Sequence, residues 1–205
     1  MDPVLVLVSR IYDAALLPSE WPAVLADVAR VGGADALGLA FGLDLLANKP
    51  PHAAGVPPDL VADYPQRHCQ DPVWSGAVCS GALGTVREVL PPRVLRRTDV
   101  YERWIEPQQW RHTRFLSLWR ENGLQGGGLL IGRTARRPPR LQENAALETL
   151  APHLQRALAI ERRCGRLAAT TAATLDALSL LPFGVAVLDE AGRGVVAARG
   201  GEVGV

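Results

Sequence analysis

Four histidines, three cysteines and a belt of aromatic residues are what this 205-residue chain could use for chemistry. His52, His68, His112 and His153 form no HxxxH or HExxH spacing, and none pairs with cysteines at a zinc-binding interval. No metal and no cofactor are therefore expected. His68-Cys69 with Cys79 could form a thiol–imidazole cluster. The competing reading is a small buried hydrophobe beside a surface histidine. A nucleophile needs a base and an orienting partner, and no motif supplies them. The chain has no GxSxG and no GxGxxG opening a helix, and Gly126–Gly128 lacks the Lys and Ser/Thr of a phosphate cradle. An enzyme is not expected.

The aromatics are more suggestive. Tyr64, Trp74, Tyr101, Trp104 and Trp110 fall in one central region broken by prolines. They could line a small-molecule pocket, with Asp71 as the orienting polar group. Equally, they could plug the core of a loop-rich face. A basic tract, Arg133, Arg136, Arg137 and Arg140, has no recognition helix beside it and reads as a solvated loop.

The elements that must position these residues follow from periodicity. Leu5, Val8, Ile11, Tyr12, Ala15 and Leu16 recur at helical steps, and Pro18 ends that helix. Ser19 is placed to cap a second helix, with Trp21, Val24, Leu25, Val28 and Ala29 as its apolar stripe and Gly32-Gly33 as its stop. Residues 36–43 read as a buried strand, and a strand is expected around Ala53–Val56. Pro57-Pro58-Asp59 opens a short helix to Arg67, which Pro72 prevents from continuing. Leu83–Val89 reads as extended, and Thr98-Asp99 caps a short helix, 100–105, closed by Pro107. Asn122-Gly123 suits a type I′ turn between strands 115–121 and 124–133. Gly126–Gly128 leaves room for a bulge or a close-packed helix.

A long helical stretch, 141–181, follows, with Pro152 predicting a kink or break near Ala151. Leu147, Leu150, Leu154 and Leu158 continue at heptad spacing into Glu161, Cys164, Ala168, Thr171, Leu175 and Leu178. The first half is expected to pack on the sheet and the second to pair with another copy. Leu147, Leu150, Leu154, Leu158, Leu175 and Leu178 are the expected dimer-interface residues. Residues 183–188 and 194–198 read as a hairpin that begins a second sheet unit.

Composition narrows the class. At 48% hydrophobic and 21% charged, the chain can bury a core, and its net charge of +1 gives no general reason to bind nucleic acid or an anionic membrane. An odd cysteine count favours a reducing compartment. Neither a basic n-region nor an apolar run near about 20 residues is present, so a cytoplasmic protein with no membrane contact is expected.

Certain segments resemble a known group. Ile11-Tyr12-Asp13-Ala14-Ala15 with Trp21-Pro22, Asp71-Pro72-Val73-Trp74, Gly84-Thr85-Val86 and Tyr101-Glu102-Arg103-Trp104-Ile105-Glu106-Pro107-Gln108 are similar to LuxR-type helix-turn-helix transcriptional regulators. Leu150-Ala151-Pro152-His153-Leu154-Gln155-Arg156-Ala157-Leu158 resembles the helix leaving their sensory domain. Leu181-Pro182-Phe183-Gly184-Val185-Ala186-Val187-Leu188-Asp189 with Gly192-Arg193 looks like the first hairpin of a PAS-like unit.

The resemblance implies an α+β fold: a GAF/PAS-like sensory domain at 1–140, a linker and dimerisation helix at 141–181, and the start of a second PAS-like unit at 182–205. It implies a homodimer, a possible small-molecule ligand, and DNA contact only through a C-terminal helix-turn-helix, which these residues do not contain. The acyl-homoserine-lactone branch has a Tyr upstream of an Asp-Pro, which implies Tyr64 and Asp71 as pocket residues. The expected function is sensory input and dimerisation for transcriptional control. The alternative is a stand-alone interaction protein that pairs with an intact regulator and silences it.

Overall fold

The computed structural model describes residues 3–41, 44–45, 49–69, 71–79, 82–121, 124–180, 185–188, 190–192 and 194–198. Helix α1 (Pro3–Leu16) buries Leu7, Ile11, Ala14 and Ala15, the spacing of one helical face. A single 3₁₀ turn, Pro18–Glu20, leads into α2 (Trp21–Val31), which buries Trp21, Val24, Leu25, Val28 and Ala29. Ser19 lies inside that turn and caps nothing. The Trp21 amide is already bonded to the Pro18 carbonyl, so the turn itself does part of the cap's work.

Strands β1 (Ala36–Phe41) and β2 (His52–Ala54) come next, then α3 (Pro58–Asp63), which widens into a π turn at Tyr64–His68. Pro72 does end that run, and it also starts a new helix, α4 (Pro72–Cys79), because proline suits the first helical position. Strand β3 (Val86–Glu88), α5 (Pro92–Leu95), a second π turn at Tyr101–Ile105 and a 3₁₀ turn at Glu106–Gln108 follow. The expected cap is present here: Thr98 Oγ1 accepts the Tyr101 N–H at 3.2 Å. The long hairpin is β4 (His112–Glu121) and β5 (Leu124–Arg133). Its Asn122-Gly123 turn lies outside the described residues, and register shifts after Ser117 place the expected bulge opposite Gly127 and Gly128.

These strands make one five-stranded sheet, ordered β2-β1-β5-β4-β3 and antiparallel throughout. Alternation splits it into two buried faces. Leu37, Leu39, Leu116, Leu129 and Ile131 share one face by register. Ala36, Gly38, Phe115, Leu130 and Gly132 share the other.

Helix α6 (Leu141–Ser179) continues through Pro152 without a break. Pro152 is exposed, where water can replace its missing helical bond, while Leu150, Ala151 and Leu154 around it are buried. The chain divides into compact units at Met1–Leu158 and Ala159–Val205, so the first unit includes the first half of α6. That half lies with the N-terminal helices: Tyr12 Oη is 3.3 Å from His153 Nδ1, and a side chain on Gly32 would strike Leu147. In the second unit, β6 (Val185–Leu188) and β7 (Gly194–Ala198) pair antiparallel, with a register shift before Leu188. Phe183 and Gly184 of the expected hairpin lie outside the described residues. No described helix is long and apolar enough to cross a membrane.

The basic loop is not simply solvated. Arg133 is buried and its Nη1 donates to Glu143 Oε2 at 2.7 Å; Arg137 Nη2 donates to Oε1 at 3.0 Å. Glu143 also accepts the Arg140 backbone N–H at 2.7 Å, the reach of an N3 glutamate back to the N-cap. Gly33, at φ +58, lets α2 end directly beneath this carboxylate, and a Cβ there would collide with it. Burial pushes the Glu143 carboxyl up, but the hydrogen bonds from Arg140, Arg133 and Arg137 outweigh burial and bring it to about 2. Two further ties hold α6. Glu148 Oε1 accepts the Val86 N–H at 2.8 Å, and the buried Arg114 guanidinium donates to Asn144 Oδ1 and, at 3.2 Å, to the Gly32 carbonyl.

Candidate functional site

On the opposite face of the sheet, the segment between β2 and β4 folds its aromatics inward. The two π turns each deliver one ring: Tyr64 and Trp104 have centroids 5.0 Å apart, and Trp110 meets Trp104 edge-on at 5.2 Å. Trp74 joins from α4, its Nε1–H donating to Tyr64 Oη at 2.9 Å. Trp104 Nε1–H donates to the Leu60 carbonyl at 2.8 Å. An indole has one donor, so both tryptophans spend theirs inside the chain. Asp71 Oδ1 accepts the Trp74 backbone N–H at 2.8 Å, which makes it the N-cap of α4. Tyr101 is half-buried at the margin of the cluster.

Tyr64, Trp74 and Trp104 are therefore brought together as expected, with Asp71 attached through a backbone bond and Tyr101 beside them. Their arrangement favours the core reading. The rings pack with Val89, Leu95, Val100 and Ile105 against Ala36, Phe115 and Leu130 of the sheet.

His68, expected at the surface, is wholly buried. Its Nε2 lies 3.2 Å from Asp63 Oδ2 and its Nδ1 3.9 Å from Asp99 Oδ2, without hydrogen-bond geometry at either nitrogen. Each aspartate also holds an arginine, Arg67 and Arg103 respectively, both at 2.7 Å. His68 thus bridges the bases of the two π turns. The Cys69 Sγ–H donates to the Pro65 carbonyl at 3.0 Å, and burial pushes its thiol up despite the opposing backbone bond. That is the reverse of an activated nucleophile. The Cys79 side chain lies outside the described residues. Among the described residues no group of three or more metal-ligating side chains converges.

The sheet face beneath this aromatic layer is not covered evenly. Ala36, Gly132 and Thr113 form one cross-strand row. Trp110 lies directly on it, since a Cβ on Gly132 would overlap the indole. The next row is Gly38, Leu130 and Phe115, and the one after is Ala40, Gly128 and Ser117. A Cβ placed on Gly38 would meet no atom of the described residues within 4 Å. Ser117 is 1% exposed and its hydroxyl has no hydrogen-bond partner among the described residues. Such a group costs about 1–3 kcal/mol when left unsatisfied. Helix α4 packs against β4 and β5 on this side. Sequence reading missed Ser117, because a serine inside a strand reads as an outward polar residue. The signal available was its two-residue step from Phe115 opposite the glycine run.

The second candidate surface is on α6. Leu147, Leu150, Leu154 and Leu158, expected at a dimer interface, are each 0% exposed within the single chain. This corrects the expectation: their apolar surface is already buried on the chain's own sheet and helices, so it is closed to another copy. From Ala159 onward the helix is mostly exposed, with Leu167 at 61% and Leu175 and Leu178 half-buried. At 3.6 residues per turn, Ile160, Cys164, Leu167, Ala168, Thr171, Leu175 and Leu178 share one face. Arg162, Arg163, Arg166 and Asp176 lie off it.

No protein-family model matches the sequence, and no curated protein matches it.

Proposed function

We propose that this chain is the sensory and dimerisation part of a LuxR-type transcriptional regulator, built on a GAF/PAS-like sheet domain and working in the cytoplasm. The observation that carries this reading is the divided helix. One continuous α6 is tied to the sheet unit through Glu143, Asn144, Glu148 and four buried leucines, then runs on with a largely exposed stripe bordered by Glu161. A helix shared in this way can pass a change in the first unit to whatever the stripe grips. A ligand drives such a change only by binding two seatings of the helix with different affinity. The stripe's small residues, Cys164, Ala168 and Thr171, allow close approach of a second helix, and the charges off it keep the rest solvated. DNA contact belongs, on this reading, to a helix-turn-helix in the same chain or in a partner.

The test fuses the full chain, through its C-terminus, to a DNA-binding domain that represses a reporter only when paired. The fusion should repress, and Leu175→Arg with Leu178→Arg should abolish repression at equal protein level. Repression unchanged by the double substitution would remove the stripe from the mechanism, and no repression at all would remove dimerisation. The silencing alternative predicts repression only when an intact regulator is co-expressed as the partner.

A further inference from the structure

One turn of the first unit carries positive charge that no described residue offsets. We infer that Arg93, Arg96 and Arg97, on and just after α5, form a docking surface for the phosphate backbone of duplex DNA, gripping it without reading its sequence. This contact goes beyond the proposed function, in which a helix-turn-helix reads the bases, and it uses none of the α6 stripe.

The turn is built to hold still. The Arg96 N–H donates to the Pro92 carbonyl at 3.2 Å and the Arg97 N–H to the Val94 carbonyl at 3.0 Å. Leu95 is buried in the aromatic cluster, and Thr98 Oγ1–H donates to its carbonyl at 2.7 Å. With Leu95 turned into the core, Arg93, Arg96 and Arg97 stand at i, i+3 and i+4 on the outer side, and all three are exposed. Like charges at that spacing repel and destabilise a helical turn. Arginines nearby in the fold are treated differently: Arg67 holds Asp63 and Arg103 holds Asp99, each at 2.7 Å. Asp99, the next acid along the chain, is therefore already engaged. Among the described residues no carboxylate pairs with Arg93, Arg96 or Arg97. Packing asks only for Leu95 at this turn, so the crowded cations answer to something outside the chain.

The kind of anion follows from the setting. Guanidinium forks match phosphate oxygens two at a time. Pro91, Pro92 and Val94 are exposed beside the arginines, so the turn does not enclose a small molecule. A repeating anion suits it better. Duplex DNA presents one phosphate charge per about 1.7 Å of its axis. Side chains whose Cβ atoms lie about 5–6 Å apart reach several of those charges together. A protein partner would ask for an aromatic or apolar centre with charges at the rim. Here the arginines are the centre, and Val94, at 42% exposed, is the one large hydrophobic exposed on the turn. Protein–DNA interfaces are polar and strongly positive, as this turn is. The four residues of α5 make no recognition helix, so the contact positions DNA and does not specify it.

The probe is a fluorescently labelled duplex of about 20 base pairs and arbitrary sequence, titrated with the full chain between about 50 and about 200 mM salt and read by anisotropy. Wild type should bind it, and bind a duplex of unrelated sequence equally well. The log–log salt slope should be about −3 for each chain bound. Arg93→Gln, Arg96→Gln and Arg97→Gln together should weaken low-salt binding at least roughly tenfold and flatten the slope. Arg96→Gln alone should give a smaller loss of the same kind. The triple variant should melt no lower than wild type, because repulsion is removed and Leu95 stays. Arg136→Gln with Arg140→Gln, at exposed arginines away from the turn, should change affinity less than roughly twofold. No binding at about 50 mM salt overturns the inference. An equal loss from the Arg136 and Arg140 pair also overturns it, since binding would then follow general charge. A lower melting temperature for the triple variant would assign the arginines to the fold instead. Poly-glutamate competing as well as unlabelled duplex would point to an acidic protein and overturn the assignment to DNA. Light scattering reads dimerisation separately, so loss of this surface leaves the dimerisation reading standing on its own test, and the converse holds too.

Discussion

Up to Leu158, helix α6 is a core element; beyond it, the same helix is a surface. In the first half every leucine at heptad spacing is buried, and three polar side chains bind the helix to the sheet unit. In the second half the residues from Arg163 to Thr174 are all exposed, and the stripe softens from leucine to cysteine, alanine and threonine. Heptad spacing continues across the two, with Glu161 and Thr171 standing at its positions in the second. What changes is the size of the residues on the stripe and the presence of charge partners, and those decide whether a face is bought out by its own chain or left for another. Burying a leucine contributes about 1.5–3 kcal/mol, so the first half is fixed by its own packing. The second half, a helix of about 30 Å, lacks such packing, and on the proposed reading a second copy supplies it.

The largest effect that would break this comparison is in the buried half. Leu154→Ala should destabilise the chain by about 2–5 kcal/mol, lowering its thermal midpoint, whereas Leu167→Ala should change intrachain stability by less than about 0.5 kcal/mol. Equal losses at both positions would mean that the halves do not differ in kind.

Next in size is the tie at the start of the helix. Glu143→Gln leaves the buried Arg133 without its carboxylate and should cost about 2 kcal/mol at neutral pH. Its pH dependence sharpens the point. The folded carboxyl titrates at about 2, below the unfolded value of about 4.3. The unfolded chain therefore binds the proton first. The contribution of Glu143 is present in full above that unfolded value and is lost as pH falls through the folded one. Chemical denaturation of wild type from pH 6 to pH 2 should show this loss, and the Gln variant should lack that part of it.

The smallest effect belongs to the exposed half. A Cβ on Gly165 meets no atom of the described residues within 4 Å, so Gly165→Ala should stabilise by about 0.5–1 kcal/mol through helix propensity alone. Circular dichroism melting reads the gain. A loss instead would show that a second helix approaches closely there.

How much of this the residues announce depends on the kind of signal. The α2 stripe, the β4–β5 hairpin and the Thr98 cap were legible because local spacing and turn chemistry determine them. Trp74 and Trp104 were legible as a cluster, but not their roles, since an indole donor reveals its acceptor only in three dimensions. Buried Arg133 and His68 were not legible, because the carboxylates beside them, Glu143 for one, Asp63 and Asp99 for the other, are brought there by the fold. Nor was the division of α6. Periodicity marks a face, and says nothing of whether the chain or its neighbour covers it.

On the proposed reading, the second half of α6 is covered by a second copy. Light scattering of the full chain at micromolar concentration, beside the Leu175→Arg and Leu178→Arg double variant, tests it most directly. Wild type should show twice the chain mass, and the variant the single-chain mass with an unchanged first unit. A wild-type protein at the single-chain mass would contradict it.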